Sequence, residues 1–120
     1  MKTHIISGMI WAGQSGEDYD ALLVGYNTEA FAERFQDIIG YGKKKVTVRY
    51  WISDTEKTKT ELVEDTIRTI SGSAEACYSH RYSELTGYLW TDAATKVGGH
   101  DLLRELEGEK GKFLYMEIDL

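Results

Sequence analysis

The sequence predicts an α+β fold. It is expected to be a single domain (1–120) with a mixed or mostly antiparallel sheet of about six strands and three helices, ordered β-β-α-β-α-β-β-α-β. Three observations predict it. Val46, Val48, Tyr50 and Ile52 alternate with Thr47, Arg49, Trp51 and Ser53, the period of a half-buried strand. Phe31, Phe35, Ile38 and Ile39 fall instead on one stripe of a helix. The two periods do not take turns regularly along the 120 residues, which sets aside both a repeated βα unit and an all-β sandwich.

The elements follow in chain order. Thr3 to Ala12 and Tyr19 to Tyr26 are apolar-rich runs around Gly13-Gln14-Ser15-Gly16-Glu17-Asp18, whose turn chemistry makes the pair a β-hairpin. Asn27-Thr28 starts the first helix, because either side chain can accept a free backbone N–H. Gly40 and Gly42 stop it, and Lys43, Lys44 and Lys45 suit the carbonyl end of its dipole. The strand at Val46 follows. A capping box at Thr58 to Glu61 then opens a second helix, with Leu62, Val63, Thr66, Ile67 and Ile70 as its buried stripe and Gly72 as its end.

Ala74 to Ser83 alternates again. Ala74, Ala76, Tyr78, His80 and Tyr82 share one face; Glu75, Cys77, Ser79, Arg81 and Ser83 share the other. Glu84 to Gly87 turns the chain into Tyr88-Leu89-Trp90. Thr91 to Gly99 reads as a loop, His100 to Glu107 as a short helix, and Phe113 to Leu120 as a closing strand with Leu114, Met116 and Ile118 inward.

Composition narrows the function. Basic residues number 14 and acidic residues 20, for a net charge of −6. Residues 61–120 hold 6 basic and 12 acidic side chains, so that half carries the whole imbalance. Such a chain does not grip nucleic acid by neutralising phosphates. A single cysteine, Cys77, forbids an intrachain disulfide and a CxxC site. His4, His80 and His100 lack zinc-ligand spacing. No metal or cofactor is expected. No apolar run approaches the ~18 residues of a membrane helix. The opening residues read as a strand, not an export leader, so a cytoplasmic setting without membrane contact is expected.

Five places bear chemistry. Tyr78, His80, Arg81, Tyr82, Tyr88 and Trp90 fall on two strands joined by a tight turn, where flat rings beside a guanidinium can stack a base or anchor a partner. The same rings equally suit a core beneath helices. Gly98, Gly99 and His100 resemble a glycine lead-in to a helix N-terminus, a candidate anion site. Asp54 and Asp92 each follow a strand, so the pair suits a metal or two turn caps. Cys77 has His80 or His100 as conceivable bases, but nothing in its surroundings marks it as activated. The Gly13–Asp18 loop, between Trp11 and Tyr19, suits a lip over a site or a plain connection.

The expected function is therefore that of a small acidic, non-enzymatic binding protein. Inhibitors, immunity-type proteins and accessory proteins of mobile elements share this composition. It would hold a partner protein, or sequester a small ligand such as a nucleotide, through the aromatic hairpin. No catalytic residue is expected in that reading. One alternative is a metal-assisted enzyme on a phosphate-containing substrate, with Asp54, Asp92 and His100 at work. Another is an oligomeric structural or accessory protein whose C-terminal strand pairs with a second copy as a homo-oligomer.

Overall fold

The computed structural model describes residues 2–40, 42–56 and 67–120. Among them the chain forms seven strands and two helices: β1 (Thr3–Ser15), β2 (Asp18–Val24), α1 (Phe31–Ile39), β3 (Lys44–Ser53), β4 (Arg68–Ser83), β5 (Tyr88–Val97), β6 (His100–Asp101), α2 (Leu102–Glu107) and β7 (Phe113–Asp119). The strands form one sheet in the order β2-β1-β7-β3-β4-β5-β6, antiparallel at every pairing. The α+β class with a mostly antiparallel sheet is thus as expected, with one more strand and one fewer helix among the described residues.

The core lies on one face of this sheet. Val46, Val48 and Tyr50 of β3 point into it, as do Leu114, Met116 and Ile118 of β7 and Ile6 and Ile10 of β1. α1 closes over them with Phe31, Phe35 and Ile39, all fully buried. Each such side chain gains about 2–3 kcal/mol from leaving water, which is what holds a nine-residue helix that would not persist alone. The helix begins three residues later than Asn27-Thr28 suggests. Asn27 Oδ1 instead accepts from Glu29 N at 2.8 Å, and Ser15 Oγ accepts from Ala30 N at 3.1 Å. A hydroxyl from the first hairpin therefore takes one of the free N–H groups at the helix start.

β1 changes partner midway. Thr3 to Met9 pair with β7, and Ile10 to Ser15 pair with β2. Gly8 makes this possible: its φ is +136°, and a Cβ there would lie 2.4 Å from Gly25 Cα. Two backbones touch at that point, so only glycine fits. The hairpin then swings back until its tip meets β4, where Tyr78 Oη donates to Asp18 Oδ2 at 3.4 Å.

Three expectations are corrected. The predicted second helix reached Gly72, but Arg68 to Gly72 are strand, and Ile70 is buried from β4 rather than from a helix stripe. Its earlier part, with Leu62, Val63 and Thr66, lies outside the described residues. Thr91 to Val97 are strand and not loop, paired with β4 residue for residue. The C-terminal strand is not an edge: β7 is hydrogen-bonded to β1 on one side and β3 on the other. Pairing of a second copy along β7 is therefore blocked, and β2 and β6 are the sheet's edges. No helix among the described residues is long and apolar enough to cross a membrane.

Candidate functional site

β4 is 16 residues long, and only its first half is braced by β3, through Arg68 to Ala74. β6 braces β5 only at Lys96 and Val97. Beyond those rungs the β4–β5 hairpin pairs, among the described residues, with itself alone and projects from the sheet as an arm. Exposure rises along it. Ala74 is buried and Tyr78 half-buried, while Tyr82 and Tyr88 are each 63% exposed, Trp90 37%, and Leu85 at the turn 99%.

The register sorts the predicted aromatic cluster into two faces. Tyr78, His80 and Tyr82 stand opposite Ala93, Thr91 and Leu89; Arg81 and Ser83 stand opposite Trp90 and Tyr88. The rings therefore pair off by face. Tyr78 and His80 meet edge to face at 5.3 Å, and Tyr88 stacks on Trp90 at 5.9 Å with 21° between planes. His80 Nδ1 and Thr91 Oγ1 are 2.9 Å apart. On the other face Arg81 forms an ion pair with Asp92.

Tyr78 differs from the rest. It packs against a small second cluster of Ala21, Leu23 and Ala30, together with Trp11. Burial there, with the charge of Asp18 and the hydrogen bond to it, holds its phenol above the ordinary tyrosine range against a hydrogen bond with Ser15 that lowers it. It supports the base of the arm, while His80, Arg81, Tyr82, Tyr88 and Trp90 remain open to solvent.

A cavity of about 540 Å³ lies beside the arm. One wall is β5, with Tyr88, Leu89, Trp90, Thr91 and Ala93, and Tyr78 beside it. The opposite wall is the first hairpin, with Glu17, Asp18, Asp20, Ala21 and Leu22; Ala30 before α1, Ala32 of α1 and Leu103 and Glu107 of α2 complete it. Residues of both parities on β5 reach the cavity, and between Tyr88 and Thr95 that strand has no second neighbour among the described residues. The first hairpin's tip is thus a lip of the cavity. Sequence reasoning weighed that role for Gly13–Asp18 but had no signal for the acidic side chains opposite the rings. The turn and the arm are some 60 residues apart in sequence, and only tertiary folding joins them.

The remaining candidates are scattered. Gly98 and Gly99, with φ of +54° and +85°, make the tight turn between β5 and β6, so they do not lead into a helix. Asp101 caps the six-residue α2, its Oδ1 accepting from Arg104 N at 3.2 Å, which already places a carboxylate at that helix start. His100 Nδ1 lies 3.9 Å from Glu105. Asp54 follows the end of β3 near Arg68, whereas Asp92 is level with Ser79, eleven residues further along β4. At ~3.3 Å per strand residue the two carboxylates are on the order of 30 Å apart, too far to share a metal. Cys77 is exposed, on the face opposite His80.

No family model matches the chain, and neither a curated protein nor a solved structure matches it, so the reading of this site rests on its own geometry.

Proposed function

We propose that this chain is a non-catalytic binding protein that holds a ligand or a partner's side chains between the β4–β5 arm and the first hairpin. The observation that carries this reading is the placement of Tyr82, Tyr88 and Trp90. Large rings are exposed on an arm clear of the core, and two of the three border a cavity of about 540 Å³. Rings in that position contribute nothing to the core, yet offer rigid apolar area with little rotamer entropy to lose on binding. The cavity is within the size range of small-molecule sites, roughly 300–1,000 Å³. An inhibitor, an immunity-type protein or a sequestering accessory protein would all work this way.

The test is native mass spectrometry of freshly purified protein beside a Tyr82→Ala/Trp90→Ala variant. The expected result is a retained small molecule or partner on the wild type that the variant has lost, with unchanged circular dichroism. A variant that retains the same species overturns the reading. So does a wild type that carries nothing from its host and whose melting temperature no metabolite raises.

A further inference from the structure

Resting on that reading, we infer that the occupant of the cavity is cationic: a guanidinium or ammonium group, free or carried on a peptide. Among the described residues four carboxylates line the cavity, Glu17, Asp18, Asp20 and Glu107, and no lysine, arginine or histidine does. Asp18 has internal duties, accepting from Tyr78 Oη and from Asp20 N. Glu17, Asp20 and Glu107 form no side-chain hydrogen bond or ion pair among the described residues. Their negative potential is therefore gathered at the mouth of a hollow with no lysine or arginine among its described lining residues, the nearest imidazole being that of His80 beside Gly16 at the hairpin's tip. A hollow walled by one sign of charge focuses the field on an opposite charge.

The second wall suits the same chemistry. Tyr78, Tyr88 and Trp90 border the cavity, and the electron-rich faces of tyrosine and tryptophan attract cations, arginine-like groups above all. Backbone carbonyls along the side of β5 that is unpaired among the described residues add acceptors that would fix the orientation of a planar guanidinium. A phosphate meets the opposite prospect, since it would enter among four carboxylates. The anionic ligand class that Gly98 and Gly99 suggest in the sequence is thus mismatched to the cavity that the fold makes.

The probes are agmatine, an acetylated and amidated tetra-arginine peptide, and AMP, each titrated calorimetrically into the intact protein. Either cation should bind, and AMP should not. Agmatine binding points to a free small molecule; binding of the peptide alone points to a partner's side chains. Raising salt from ~0.15 to ~0.5 M should weaken the cation several-fold. An Asp20→Asn/Glu107→Gln variant should weaken it about tenfold while melting as the wild type does, because neither carboxylate has a structural partner. Failure of both cations to bind overturns the inference, as does equal affinity in the double variant. If AMP binds instead and Trp90→Ala abolishes it, the cationic class falls while the aromatic arm keeps its role. If agmatine binding survives in Tyr82→Ala/Trp90→Ala but fails in the carboxylate variant, the cationic cavity stands and the arm reading falls.

Discussion

At the scale of single residues, burial and pairing separate side chains that look alike in the sequence. Thr95 is fully buried on β5, and its Oγ1 finds no hydrogen-bond partner among the described residues. A buried hydroxyl in that state costs about 1–3 kcal/mol. Thr95→Val keeps the branched shape and removes the hydroxyl, so it should raise stability by about 1 kcal/mol, or ~4 °C, as read by thermal denaturation. Nothing in the sequence distinguishes Thr95 from Thr91, whose hydroxyl is satisfied by His80. The tyrosines make the same point. Tyr78 and Tyr82 share one face of one strand, yet the first braces an apolar cluster and the second faces water. Alternation reveals which face a residue shares; it does not reveal how far along the strand the covering layer extends.

At the scale of elements, α1 was legible because its apolar stripe is long enough to fix the period. β3 and β7 were legible because their alternation is unbroken. The start of β4 was not. Leu62, Val63, Thr66, Ile67 and Ile70 satisfy a helical spacing, and a short window around them cannot exclude it. What decides is the ladder from Arg68 to Ala74 against β3, a contact remote in sequence. β5 was half-read as loop because Thr91-Asp92-Ala93-Ala94 lacks large apolar residues, and the β4 partner supplies the order that composition does not.

The approach to α1 also carries a titration. A hydrogen bond to Asp37, then partial burial and the charges of Asp37 and Glu33, raise the Glu29 carboxyl from 4.5 to about 7. The proton is therefore held more tightly in the folded chain than in the unfolded one. That contribution is complete below pH 4.5 and is lost as pH rises to about 7. Glu29→Gln, which keeps a donor for Asp37, should melt higher than the wild type at pH 8. The gap should close below pH 4.5 and stay under about 1 kcal/mol, because the group is largely hydrated. Thermal melts of both proteins across pH 4–8 check this.

At the scale of the whole molecule, two things lay beyond the sequence: the strand order and the site. The order puts the last strand in the middle of the sheet. There Arg49 of β3 bonds Asp119 at 2.6 Å and Glu117 at 3.2 Å, while Thr3 of β1 donates to Asp119 at 2.6 Å. No local pattern announces a network that ties three strands from both ends of the chain. The cavity is assembled likewise, from the first hairpin, two helices and a strand edge. The arm is simpler, because it adds little to the body. Replacing Arg81–Trp90 by Asn-Gly would join His80 to Thr91, which already face each other, through a favoured two-residue turn. The shortened protein should keep its circular dichroism and lose no more than about 5 °C in melting temperature, since the rings removed are already hydrated.

The rungs at Arg68–Ala74 and Lys96–Val97 have a consequence of their own. They act as a socket, and what is mounted on it is exchangeable. On the proposed reading, drift in the tip would alter what is bound without reopening the question of how the chain folds. A hairpin of different sequence, transplanted at these rungs, would be expected to fold on the same sheet.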